Sequence, residues 1–191
     1  MSDKTNLNNL TDSELISLVQ QGKNQFFSEL VRRYQSKVAS TITAMVGSGD
    51  EAEDIGQEVF IRFFRALDSF RGDSSVGTYL TRIAINLSLN ALKKRKRLLQ
   101  RFVGISENNV IGQIGNESFS QESNDAKEIV EKALKHLDEG IRAVVVMRMI
   151  NGYSVKETAE ILELPQGTVL SRLSRGQKHL KEVLIKYNYY E

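Results

Sequence analysis

Apolar residues recur three and four positions apart along most of the chain, the spacing of one face of an α-helix. Leu15, Leu18 and Val19 start the first stripe, which Gly22-Lys23-Asn24 interrupts. Phe26, Phe27, Leu30, Val31 and Tyr34 begin the next, which continues through Val38, Ile42, Met45 and Val46 and stops at Gly47-Ser48-Gly49. Ile55, Val59, Phe60, Phe63, Phe64 and Leu67 form a third, with Gly56 inside it at a cost of about 1 kcal/mol relative to alanine. Residues 70–75 read as a loop, and Leu80, Ile83, Ala84, Leu87 and Ala91 mark a helix over 76–92. Thr11 with Glu14 and Asp50 with Glu53 have the spacing of capping boxes, in which a side-chain acceptor opens the helix and a glutamate three residues on answers it.

The pattern lapses at 102–124, where Gly104, Gly112 and Gly115 lie among Ser, Asn and Gln, and three glutamates give a net charge of −3. Such a stretch reads as a flexible linker. Periodicity then returns. Asp125 with Glu128 can cap a helix carrying Ile129, Val130, Ala133, Leu134 and Leu137, and a second helix is expected over about 140–150. The β-branched run within 143–149 fits a buried helix better than a strand, because its flanks are helical and no partner strand is visible. Asn151-Gly152 ends it, Ser154 with Glu157 opens another helix by a capping box, and Leu164-Pro165-Gln166-Gly167 makes a tight connection. The final helix is expected from Thr168 to about Tyr187. The expected fold is therefore all-α: two small helical domains, 1–99 and 125–191, joined by a flexible linker at 100–124, with a helix–turn–helix in the second.

Composition narrows the chemistry. The 191 residues include no cysteine and two histidines far apart in sequence, so no thiolate nucleophile exists and no metal site is suggested. No nucleophile–base pair or phosphate-cradling glycine loop is visible, which argues against an enzyme, and no cofactor is expected. No stretch approaches the length of a membrane span, and residues 1–10 lack the apolar core of a signal peptide, so a cytoplasmic location is expected. The 26 Lys and Arg nearly balance the 24 Asp and Glu. Residues 93–101, however, hold six basic residues and no acidic one, and the rest of the chain carries −4. A local basic patch of that density suits a polyanion.

Three constellations stand out. The helix–turn–helix at 154–178 has a small residue, Ala159, where its helices must approach, and Val169 and Leu173 point the second helix back onto the first. Gln166, Thr168, Ser171, Arg172, Arg175 and Lys178 lie at the start or on the polar side of that second helix, and suit phosphates and base edges in a major groove. A helical hairpin used only for packing has the same pattern. Upstream of the basic run, Thr78, Tyr79, Arg82, Asn86, Asn90 and Lys93 combine an aromatic ring with polar and cationic groups, as single-strand binders do; ordinary amphipathic packing and a solvated helix end are the plain alternatives. Finally, Asp50, Glu51, Glu53, Asp54 and Glu58 concentrate acid on one helix with Gln57 among them. That face repels DNA and suits a protein partner, or simply solvent.

Taken in order, these segments resemble the bacterial sigma-70 family, in its extracytoplasmic-function (ECF, group IV) branch. The resemblance rests on FFSELVRRY (26–34), EAEDIGQEVFIRFFRAL (51–67), GTYLTRIAINLSLNALKKRKR (77–97) and YSVKETAEILELPQGTVLSRLSRGQKHLKEVL (153–184), and covers nearly the whole chain. It implies an alternative sigma factor that binds core RNA polymerase and directs promoter-specific initiation. Asp54, Gln57, Glu58 and Phe60 would dock on the clamp helices of the β′ subunit. Thr78, Tyr79, Arg82, Asn86, Asn90 and Lys93 would melt and read the −10 element on the non-template strand, with one base flipped out. Gln166, Thr168, Ser171, Arg172, Arg175 and Lys178 would read the −35 duplex, with the second domain on the β flap. The linker would thread toward the RNA exit channel. An anti-sigma factor is implied as a further partner, and a nucleoid location with sequestration at the inner membrane face.

Several positions depart from the family pattern. Tyr79 stands where tryptophan is common, Gly56 where a larger residue is, and Glu163 at the usual turn glycine. Leu170 and Gln177 replace common basic residues, which lowers the non-specific pull of the recognition helix. The competing classes are an autonomous helix–turn–helix regulator, which leaves the first domain unexplained, and an all-α adaptor or sigma-sequestering protein, which needs neither basic set.

Overall fold

The computed structural model describes residues 9–103 and 126–186. Among them lie eight α-helices and no strand: α1 Asp12–Gln20, α2 Phe27–Val46, α3 Asp50–Ala66, α4 Val76–Val103, α5 Ala126–Lys135, α6 Glu139–Val145, α7 Val155–Leu162 and α8 Gln166–Lys186. The all-α expectation holds. The expected linker falls outside the described residues from 104 onward, as does the Asp125 cap.

Local chemistry sets the boundaries. Both Thr11–Glu14 and Ser154–Glu157 form complete capping boxes. The Asp50–Glu53 box does not form. Gly49 is the N-cap instead, at a φ of 124°, and the acids sit one position further in, where the helix dipole still favours them. Helix α4 runs on through the basic run to Val103, well past the apolar stripe that predicts it. The helix expected over 140–150 is α6 followed by a π-helical turn, Val146–Ile150. Gln166 and Gly167 belong to the first turn of α8 rather than to a connection, with the Pro165 carbonyl accepting from the amides of Thr168 and Val169.

In the N-terminal module α2 packs against α3 and α4, and α3 against α4. Leu30, Ile42, Met45, Val59, Phe63, Leu80 and Ile85 are fully buried between them. Helix α1 is tied to α2 by an ion cluster. The carboxylate of Glu29 accepts from Arg32 and Arg33 at 2.8 Å each, Arg33 reaches Asp12 at 2.9 Å, and the Tyr34 hydroxyl donates to Asp12. In the C-terminal module the β-branched run Val144-Val145-Val146 is buried as helix, as the flanks foretell. Helices α6 and α8 cross closely at Gly176, where a β-carbon would fall inside the envelope of the Val145 side chain.

The two modules also pack on each other, and one continuous hydrophobic cluster runs from Leu30 and Phe63 to Val146, Met147 and Ile161. Two side chains of the second module reach deep into the first. Buried Arg142 donates to the carbonyl of Met45 at the end of α2, to that of Lys135 at the end of α5 and to that of Leu137 just beyond it. These are helix-end carbonyls without intrahelical partners, which a guanidinium fork can satisfy together. Tyr153 is likewise buried, its hydroxyl 3.1 Å from Thr81 Oγ1 and 3.3 Å from the Gly77 carbonyl. The Lys37 ammonium lies 4.8 Å from the centre of that ring, and Thr41 Oγ1 is 3.1 Å from Asn151 Oδ1.

Candidate polymerase and nucleic-acid interfaces

Helix α3 buries Ile55, Val59 and Phe63 against the module and turns its other side outward. Asp54 and Gln57 are exposed there. Glu58 is half-buried and pairs with Arg62 at 2.7 Å. Phe60 is half-buried and packs against the core, so little of its ring faces outward. Phe64, which the sequence pattern leaves in the core stripe, is 40% exposed, with its ring 5.0 Å from that of Phe27, and Ile61, outside that stripe, is 43% exposed; both extend the outer face. Ile61 falls off the 55–59–63–67 line that points inward, whereas Phe60 and Phe64 flank that line alike, and only packing separates them. The face is thus acidic in its first half, while its second half sets apolar Ile61 and Phe64 beside exposed Arg62 and Arg65.

On α4, the Ser75 hydroxyl accepts from the Thr78 amide at 3.1 Å and lies 2.9 Å from the Thr78 hydroxyl, so Thr78 helps build the helix N-terminus. Tyr79 is half-buried in an aromatic cluster, its ring centre 5.2 Å from Phe70 in an edge-on arrangement and 5.8 Å from Phe63. It is partly wall and partly surface. Arg82, Asn86, Asn90, Lys93 and Arg97 follow, all exposed and spaced three or four apart, which makes one polar-to-basic stripe up the helix.

On α8, Val169 is fully buried, Gly176 meets α6, and the opposite side is open. Gln166, Ser171, Arg175 and Lys178 are exposed on it, and Ser171 donates its hydroxyl to the Thr168 carbonyl at 3.1 Å. Thr168 is half-exposed. Arg172 is turned toward α6: its guanidinium passes 2.9 Å from where a β-carbon on Gly140 would stand, so glycine there leaves room for it. The helix–turn–helix turn places Glu163, at the family's usual turn glycine, at φ 54° and ψ 47°, in the left-handed conformation. The two modules keep the α4 stripe and the open side of α8 exposed even while packed together. Among the described residues no three His, Asp or Glu side chains converge as metal ligands, and no helix is long and apolar enough to cross a membrane.

Known families account for both modules. Sigma-70 region 2 matches residues 30–98, and sigma-70 region 4 matches residues 127–180. The ECF RNA polymerase sigma-E factor of Escherichia coli is 39% identical over 176 residues, covering 88% of this chain and 92% of that one. The sigma-E factor of Haemophilus influenzae is 35% identical over 182 residues, covering 90% and 94%. Among solved structures, the sigma factor RpoE in complex with the anti-sigma factor NepR from Bartonella quintana superposes with a TM-score of 0.65 at 25% identity, over 83% of this chain and 96% of that one. CnrH in complex with the cytosolic domain of CnrY shares the fold, with a TM-score of 0.64 at 23% identity over 90% and 96%. A two-module helical protein carrying a helix–turn–helix and an exposed basic helix, matched in both modules, is a DNA-binding transcription initiation factor. The chain belongs to the sigma-70 family, as an ECF sigma factor. It is an alternative sigma factor that works with core RNA polymerase in promoter-directed initiation; no finding supports the autonomous-regulator alternative.

Proposed function

We propose that the chain divides initiation among three of its faces. The outer side of α3, with Asp54, Gln57 and Glu58 and the apolar Ile61 and Phe64, docks on the β′ clamp helices of core polymerase. The exposed stripe of α4, Arg82, Asn86, Asn90 and Lys93, holds the melted non-template strand at −10, with Thr78 and Tyr79 at its entrance. The open side of α8, Gln166, Ser171, Arg175 and Lys178 with Thr168 beside them, reads the −35 duplex while its module rests on the β flap. Arg172 serves α8 mainly by bracing it against α6. The chain does no covalent chemistry and takes no cofactor. It acts in the cytoplasm, where polymerase and nucleoid are, and an anti-sigma factor governs its access to polymerase, as the partner in the Bartonella complex suggests.

The observation that carries this reading is the separation of charge. Acid gathers on the exposed face of α3, and base gathers on the exposed faces of α4 and α8. Acid repels phosphates and cations attract them, so one chain can meet a protein on one side and DNA on the other. Run-off transcription with core polymerase on a promoter library tests it. Asp54→Lys should weaken core binding and leave the −35 preference unchanged, whereas Arg175→Ala should do the reverse. Equal loss of core binding by both variants would show that the division is wrong.

A further inference from the structure

We infer that Leu170 is a specificity-determining residue of promoter recognition, reading the 5-methyl group of a thymine in the −35 duplex. The inference rests on the proposed role of α8 as the helix that enters the major groove. Leu170 is 53% exposed in the second turn of that helix. It contributes nothing to the fold's interior, since Val169 and Leu173 on either flank of the inward face pack there instead. Its neighbours on the open side are small. Gly167 lies one turn before it and Ser174 one turn after, with Ser171 beside them, all exposed, and no side chain stands over Gly167. A helix surface of Gly and Ser can approach the groove floor closely, and Leu170 is the large apolar side chain projecting from it.

What such a side chain can read follows from the groove itself. A leucine neither donates nor accepts, so phosphates and polar base edges offer it nothing. Among the four base pairs, the thymine methyl is the apolar group displayed in the major groove. Gln166, one turn earlier and also exposed, carries the amide that matches the N6 and N7 edge of adenine. The two residues together suit an A·T-containing step. An arginine at this position would match the O6 and N7 edge of guanine, so leucine here favours T over G.

The test uses the full chain with core polymerase on its preferred promoter, taken from a library. Each thymine of the −35 element, on either strand, is replaced by deoxyuridine, which removes the methyl group and nothing else. We expect one thymine whose replacement lowers initiation about three- to fivefold, the worth of one buried methyl group. Leu170→Ala should erase that difference, Leu170→Met should keep it, and Leu170→Arg should shift the library preference toward G at the same position. The inference is overturned if no thymine methyl matters, if the deoxyuridine penalty is undiminished in Leu170→Ala, or if Leu170→Ala weakens binding to core polymerase without DNA. Absence of initiation on every promoter in the library would instead overturn the proposed function on which this rests.

Discussion

Glu29 is buried yet charged. The guanidinium groups of Arg32 and then Arg33 hold its carboxyl down to about 2, from an ordinary value of 4.5. In the unfolded chain the group would take a proton near 4.5, so between that value and about 2 the unfolded state binds the extra proton. Stability from this cluster is therefore complete above about pH 4.5 and is lost as pH falls toward 2. Thermal unfolding followed between pH 5 and pH 2 should show this slope, and Glu29→Gln should flatten it while lowering the melting temperature at pH 7. Gly176 is the second residue whose neighbours decide its identity. Gly176→Ala forces a methyl group against Val145 and Ile141 and should cost about 1–3 kcal/mol in urea unfolding, the usual penalty of overpacking. Neither effect was legible beforehand. Sequence spacing shows that Glu29 lies beside Arg32 and Arg33, but not that it is buried, and a glycine in a helix looks alike whether it fills a tight crossing or a gap.

Among the helices, α8 and α3 teach different lessons. The turn before α8 holds Glu163 in the left-handed region, where its β-carbon meets the following backbone at a cost of about 1–2 kcal/mol. Glu163→Gly should recover about 1 kcal/mol, measured by chemical denaturation, without altering the −35 preference. That strain was legible only through the family resemblance, which puts the turn's usual glycine at position 163. Helix α3 was half legible. Its acidic start and inward stripe were plain, but Phe60 and Phe64 are the same residue type four apart, and only the packing of α3 on α2 and α4 turns the first inward and the second out. Phe64→Ala should accordingly weaken core polymerase binding more than Phe60→Tyr does, in a competition assay against the unmodified chain. Tyr79 shows the same ambiguity: a ring that reads as a stacking platform also serves as the edge of an aromatic cluster.

At the scale of the whole chain, the all-α class, the helix order and the two faces of opposite charge follow from periodicity and charge. The contact between modules does not, because it is made by isolated long-range pairs that leave no period. Arg142 and Tyr153 are each an ordinary residue in sequence, and each finds a partner in the other module more than 70 positions away. Tyr153→Phe keeps the ring and removes the hydroxyl held by Thr81 and Gly77. Fluorophores placed on α3 and α8 should report a larger mean separation in that variant.

That contact bears on affinity. Promoter sites at −35 and −10 lie about 25 base pairs apart, or about 85 Å along duplex DNA at 3.4 Å per step. A compactly folded chain of this length has a radius of gyration of about 16 Å. The closed arrangement cannot span the two sites, so on the proposed function it is a competing state whose population divides the apparent affinity for polymerase and promoter. On that function, each hydrogen bond between the modules should lower that affinity by deepening the competing state. Tyr153→Phe, although it removes a native interaction, should make the chain bind core polymerase more tightly.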